Sequence, residues 1–207
     1  MSGSPVKSSD SRHANAQPTM SVRELAHRIN NMLAVVQAII NQTARTTGDP
    51  ALFVTAVNAR IAAMAAANRS LLTSEWDGAD LESLVRQELL TQGAADTRLR
   101  LSGPRTALPP RDVVAFALVI HELATNAVKF GALSGMSGIV ELDWSVAANG
   151  EGRDLLSVIW RESGGPPVTA PTHKGFGSLL LERGIDDCKV ERSFTAEGLI
   201  CRIALPL

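Results

Sequence analysis

The feature that most limits what this chain can fold into is a change of hydrophobic period partway along it. From Val22, the positions Leu25, Ile29, Met32, Val36, Ile39 and Thr43 recur three then four residues apart, which defines a helix with one buried stripe. Ser21 and Glu24 have capping-box spacing at its start. The helix fades through Thr46, Thr47 and Gly48, and Asp49-Pro50 restarts it, because aspartate caps free amides and proline is tolerated in a first turn. A second stripe follows at Val54, Val57, Ile61, Met64, Asn68 and Leu71, so the two helices are expected to form an antiparallel hairpin. The alanine-rich run Ala62 to Ala67 lets helices approach closely. Two helices enclose no core alone. Homodimerisation into a four-helix bundle is the simplest cover for the stripe, and folding back of the remaining chain is the monomeric alternative.

After Asp77-Gly78 the pattern changes to helices alternating with strands, which suits a layered α/β unit. Asp80 caps a helix to about Leu90, Arg98 to Leu101 alternates as a short strand, and Pro109-Pro110 opens a long helix over Arg111 to Phe130. Ile139 to Val146 and Leu155 to Trp160 read as paired strands around Asn149-Gly150. A Gly/Pro-rich stretch, Ser163 to Gly177, precedes a short helix from Ser178 to about Arg183. Val190 to Phe194 and Leu199 to Leu205 form a last hairpin. The expected fold class is therefore α+β, with a disordered tail over 1–20, a helical hairpin over 21–76 and an α/β sandwich over 77–207.

Composition removes several functions. The 207 residues carry 20 Lys plus Arg against 21 Asp plus Glu, so no basic field exists to hold a nucleic acid backbone. Cys188 and Cys201, the chain's 2 cysteines, have no metal-ligand spacing. A reducing cytoplasm is the natural setting for them. Met1 to Thr19 is polar, and no apolar run is expected to approach the roughly 20 residues that span a bilayer. No membrane partner is expected.

Two polar clusters carry chemistry. In the heptad frame of the first helix, His27 falls opposite the stripe, with Glu24 and Asn31 on the same outward face. Taken alone, His27 is more readily an ordinary solvated residue. As a nucleophile it offers a neutral imidazole that a separate domain can reach, with Asn31 able to bond a phosphorylated ring or position a water.

The second cluster lies on the long apolar helix. Glu122, Asn126 and Lys129 fall at four-then-three spacing on one face, with His121 and Thr125 beside them. A surface ion-pair stripe has the same spacing, but an amide gains little there, and flanking Val119, Ile120, Leu123, Ala127 and Val128 imply packing on most sides. Asn126 supplies a neutral carbonyl oxygen suited to Mg²⁺, Lys129 can neutralise a phosphate, and Glu122 can accept a proton from a nucleophile. Further on, Trp160-Arg161-Glu162-Ser163-Gly164-Gly165-Pro166 ends a strand in a carboxylate and a glycine pair. Such a carboxylate can accept from the exocyclic amine of adenine while Gly164 and Gly165 let the base approach the backbone. Gly175, Gly177 and Ser178 open a short helix whose free amides can bind phosphate, and Pro166 to Lys174 would form a lid. Trp160 reads as a packing residue and His173 as a surface loop residue.

Together, the segments ELAHRINNMLAVVQAI at 24–39, HELATNAVKFGALS at 121–134, WRESGGPPV at 160–168 and GFGS at 175–178 resemble the HWE histidine kinases, from Ser21 to Leu207. The resemblance implies a dimerisation and histidine-phosphotransfer hairpin joined to a Bergerat-type (GHKL) ATP-binding domain. By it, His27 is the phosphoacceptor, Glu122 to Lys129 the N-box that binds Mg-ATP together with His121, and Glu162 with its glycines the adenine-side box. The phosphoryl group then passes to an aspartate of a response-regulator receiver domain. Arg28 follows the histidine, as in this family, where most histidine kinases have an acid. The base must come from elsewhere, and Glu122 is preferred to Glu24. The segment Gly184 to Lys189 is shorter than the family's and lacks a Leu-Gly-Gly-like turn. No sensor domain is expected before Ser21, so a separate sensor or regulatory protein supplies the input.

The alternative activity is a histidine phosphotransferase or response-regulator phosphatase with weak or no ATP turnover. A serine kinase or anti-sigma factor on the same ATP-binding fold would need no His27 helix.

Overall fold

The structure, a computed structural model, describes residues 22–74, 78–148, 154–167 and 188–207. The chain divides into two compact units, Met1–Ala38 and Ile39–Leu207. The first holds the beginning of helix α1 (Val22–Thr46). There Met32, Val35 and Val36 are half-buried while Ile29 and Leu33 are exposed, so the expected stripe is only partly covered within one chain. The Ser21–Glu24 capping box lies outside the described residues.

In the second unit, α1 ends with Ile39 and Thr43 buried. Helix α2 (Pro50–Thr73) starts as the sequence requires: Asp49 Oδ1 accepts from the Ala51 and Leu52 amides at 2.7 and 3.0 Å, with Pro50 in the first turn. Its buried face shares Leu71 with the expected stripe, whose Val57, Ile61, Met64 and Asn68 are half-buried, but it is centred on smaller side chains. Ala63, Ala67 and Leu71 are buried, with Arg60 half-buried above them, while Val54 is 55% exposed. Small side chains win this face because α2 packs directly against a long helix, α4, and alanine permits close approach. By length and composition α2 is also apolar enough to cross a membrane, which corrects the expectation that no run in the chain is. It nevertheless carries Asn58, Arg60, Asn68 and Arg69, and Arg60 is bonded into the rest of this unit.

Asp80 caps helix α3 (Leu81–Thr91) through its bond from the Ser83 amide at 3.0 Å. The long helix α4 (Pro110–Lys129) opens on Pro110 as expected. A five-stranded sheet runs β2 (Leu99–Ser102), β4 (Ile139–Ala148), β5 (Asp154–Ser163), β7 (Gly198–Pro206) and β6 (Lys189–Thr195) in spatial order. Its neighbours are antiparallel except β2 with β4, which are parallel. A small pair, β1 (Ala79–Asp80) with β3 (Ala107–Leu108), is antiparallel. Two-residue strands show no alternation, so the sequence could not announce it.

Alternation on the long strands places Val140, Leu142 and Trp144 of β4, Leu156, Val158 and Trp160 of β5, and Cys201, Ile203 and Leu205 of β7 in one core. Leu81, Val85 and Leu89 of α3 and Phe116, Val119, Ile120 and Leu123 of α4 complete it. With the sheet residues, α3 and α2 all packed around it, α4 is buried on most of its circumference. Polar side chains on such a helix must therefore find specific partners.

Candidate active site

The polar stripe of α4 separates by angle. At about 100° per residue, Glu122 and Asn126 lie within about 40° of each other, whereas His121 and Asn126 are about 140° apart. His121 accordingly faces α3. Its Nδ1 pairs with Glu88 Oε1 at 2.7 Å, with Gln92 Nε2 at 3.2 Å, and the ring is buried. The nucleotide contact expected of His121 is not what the side chain makes here, because its near nitrogen is engaged by Glu88. Thr125, beside it, donates to Gln92 Oε1 at 3.4 Å.

Glu122 faces α2. Arg60 Nε donates to Glu122 Oε1 at 2.7 Å and Arg60 Nη2 to Oε2 at 3.0 Å, a two-pronged pair at side-chain exposures of 15% and 11%. Arg60 Nη1 also donates to Thr43 Oγ1 at 3.2 Å, and that hydroxyl donates to Ile39 O at 2.6 Å. Thr43 thus occupies a stripe position as a hydrogen-bonding residue. Farther along, Asn126 and Lys129 are exposed at the open end of α4.

That end meets the close of β5. The Phe130 and Gly131 amides bond Asn126 O at 2.8 and 3.0 Å, and the next amide, Ala132 N, donates to Glu162 Oε2 at 2.9 Å. Trp160 Nε1 donates to Glu162 Oε1 at 3.0 Å, so buried Trp160 packs as expected and also orients the carboxylate. Burial raises the Glu162 pKa above its ordinary value, while the Ala132 and Trp160 donors pull it partway back. Arg98 holds the same loop from behind, with Nε on Gly138 O at 2.7 Å and Nη2 on Ala132 O at 2.8 Å. A Cβ on Gly131 would strike the Glu162 carboxylate, and one on Gly165 would come within 2.6 Å of Ala132 Cα. These glycines permit backbone and carboxylate to close on each other, a packing reason beside the expected one of base approach. Gly164 takes a φ of +69°, which glycine adopts without strain.

The structure thus brings Glu122, Asn126, Lys129, Glu162, Gly164 and Gly165 to one helix end and its adjoining loop. His27 lies in α1, but its side chain, like all of Gly175, Gly177, Ser178, His173 and the Gly184 to Asp187 segment, falls outside the described residues. Asn31 is exposed. Reasoning from sequence missed Arg60, Glu88, Gln92 and Arg98. The first could have been found as the one charge in register with Ala63, Ala67 and Leu71. Among the described residues no group of three or more His, Cys, Asp or Glu could hold a metal. A cation here would rest on the exposed Asn126 carbonyl, phosphate oxygens and water, which fits Mg²⁺ coordination.

A cavity of about 520 Å³ opens elsewhere, between α2, α3 and α4, with Ala63, Ala67, Glu88, Gln92 and His121 on its walls. Asn126 and Lys129 do not line it.

Residues 24–105 match the HWE histidine kinase family. That segment, about two fifths of the chain, carries the match to the HWE histidine kinases. It is 34% identical over 200 residues to the blue-light-activated histidine kinases of Brucella ovis and Brucella abortus, covering 95% of this chain and 41% of each of theirs. It therefore spans about two fifths of the length of those relatives. In fold it is similar to the blue-light activated histidine kinase of Erythrobacter litoralis EL346, with a TM-score of 0.65 at 16% identity over 93% of this chain and 63% of that one. The histidine kinase domain of the same protein gives 0.58 at 17% identity, over 89% and 91%. Helices followed by an α/β sheet unit are thus the fold that this chain shares with those histidine kinase structures.

Proposed function

We propose that this chain is the kinase part of a two-component system, autophosphorylating His27 from Mg-ATP in the cytoplasm and passing the phosphoryl group to an aspartate of a response-regulator receiver domain. The observation that carries the reading is the corner where exposed Asn126 and Lys129 end α4 and Glu162 ties the following loop to β5. One side supplies an amide oxygen and an ammonium for a metal-bound triphosphate, the other a carboxylate and glycines for a base. The match of residues 24–105 to the HWE histidine kinases supports the activity class. The domain division is 21–76 for the phosphotransfer hairpin and 77–207 for ATP binding, with Gly175, Gly177 and Ser178 bounding the phosphate side.

In the transfer, an imidazole nitrogen of His27 bonds to the γ-phosphorus as the bond to the β–γ bridging oxygen breaks, and ADP leaves. The imidazole proton passes to Glu122, since Arg28 offers no base, and Asn31 positions the ring or, in reversal, a water. Asn126 would hold Mg²⁺ through its amide oxygen, and the ion would supply positive charge beside the phosphate oxygens. The exposed apolar Ile29, Leu33 and Ile40 of α1 and Leu52 and Val54 of α2 support a homodimer.

Incubation with γ-labelled ATP and Mg²⁺ tests this. Expected is an acid-labile, base-stable label that His27→Gln abolishes. Asn126→Ala should weaken nucleotide binding more than tenfold in a titration while leaving the melting temperature unchanged, because the residue is exposed. A protein that takes no label from ATP, yet loads His27 from a phosphorylated receiver domain, is a phosphotransferase or phosphatase instead.

A further inference from the structure

The pair between Arg60 and Glu122 joins a helix of the phosphotransfer hairpin to the helix that carries the nucleotide contacts. Both Glu122 oxygens accept from one guanidinium, at 2.7 and 3.0 Å, so the edge of the carboxylate that would receive a proton is covered. Arg60 is itself held by Thr43. Thr43 lies sixteen positions after His27 in the sequence (43 − 27), so the hairpin segment that Glu122 grips is not the one that carries the phosphoacceptor.

The surroundings make this contact separable. On α2 the buried apolar side chains are Ala63, Ala67 and Leu71, two of them a single methyl group, and the cavity of about 520 Å³ runs beside them. Ala67 and Leu71 join the core around Trp160 and Phe116, but an alanine removes little apolar area of its own from water. The two-pronged ion pair is one of the contacts between α2 and α4, and its directional bonds are lost once the two helices separate.

We infer that Arg60 and Glu122 form a resting-state clasp, which withholds Glu122 from phosphoryl transfer while α2 is docked on α4 and must open before His27 is phosphorylated. This rests on the reading of Glu122 as the proton acceptor. Anything that pulls α2 from α4, such as a movement imposed on the hairpin by a signalling partner, raises kinase output by freeing the carboxylate. The nucleotide contacts at Asn126 and Lys129 lie beyond the clasp and bind ATP in both states.

Two variants of the full chain test the inference. Arg60→Gln keeps most of the volume but loses the guanidinium fork; Thr43→Val leaves the ion pair and removes the hydroxyl that steadies it. Circular dichroism checks that each is folded, and should Arg60→Gln not fold, Thr43→Val carries the test alone. Two readouts are taken with Mg²⁺ present: hydrogen exchange of the α2 and α4 amides, and the initial rate of acid-labile labelling at saturating γ-labelled ATP. Expected are faster exchange in both helices and a labelling rate raised about three- to tenfold for Arg60→Gln, less for Thr43→Val, with nucleotide affinity unchanged. Faster exchange with an unchanged labelling rate overturns the clasp, and faster exchange with a lower rate overturns it and makes Arg60 an aid to the reaction. Unchanged exchange and rate in every folded variant also overturn it. If wild type and variants all fail to label while the helices open, the kinase reading has failed, and the restraint falls with it.

Discussion

Glu122 and Glu162 are both buried carboxylates on elements of one core, and they are satisfied in opposite ways. Glu162 accepts from neutral donors, the Ala132 amide and the Trp160 indole, within the sheet-side corner itself. Glu122 accepts from a full positive charge that arrives on another helix, α2. Neutral donors only partly replace water around a carboxylate, which is why burial still raises the Glu162 pKa. Glu162 is thereby a fixed part of the corner, whereas Glu122 has a partner that can leave. Under the proposed function Glu162 builds the site and Glu122 acts in it, and the two tasks call for different solvation.

The sharpest way to break this comparison is to remove one half of the pair. Glu122→Ala leaves the Arg60 guanidinium half-buried without its counter-charge, and such losses reach about 3 kcal/mol when one partner of a buried pair is deleted. Replacing both, as Arg60→Met with Glu122→Leu, should recover most of that stability in urea unfolding, because apolar side chains of similar size fill the same gap. A double variant no more stable than Glu122→Ala would show that the pair is structural glue, like Glu162, and not a separable contact.

Removing the other carboxylate should have a smaller effect. Glu162→Ala strands the Ala132 amide and Trp160 indole donors, costing about 2 kcal/mol by urea unfolding. Glu162→Gln keeps an acceptor and has no charge to desolvate. The pH dependence follows from the raised pKa. The folded protein favours protonated Glu162 more than the unfolded chain does, so the favourable contribution is complete below the ordinary value of 4.5 and is lost as pH rises through the raised folded value. Wild type should lose stability relative to Glu162→Gln across that window and run parallel to it above. A difference that stays flat with pH would mean that the two donors fully replace water.

Much of this was legible in the sequence, and the failures have a common cause. Asp49-Pro50, Asp80 and Pro110 announced their helices because capping is local. The long strands were legible because alternation on one buried face leaves a period of two. What could not be read was which face of α2 is buried. An alanine-rich helix has no strong stripe, and tertiary contact with α4 chose Ala63, Ala67 and Leu71 over Val54. With that face went Arg60. The partner of His121 was hidden for another reason: the residue lies beside the Glu122, Asn126 and Lys129 stripe, and the rotation of about 100° from Glu122 turns it toward Glu88, which no local pattern marks.

Cys188 extends the comparison to a half-buried acid. Burial, then the Asp112 carboxylate, then the Cys201 thiol push its pKa up to about 11. At pH 8 a thiol of ordinary pKa 9.0 is about one tenth thiolate, and at a pKa of about 11 about one thousandth, so the reactive form is about a hundredfold scarcer. Alkylation of Cys188 by iodoacetamide at pH 8, followed by mass spectrometry, should therefore run well below the rate of the same residue in urea. The Asp112→Asn variant should speed it only modestly, because burial is the larger cause. A large acceleration would instead make charge, not desolvation, the dominant influence on acids in this core, and would place Cys188 on the Glu122 side of the comparison.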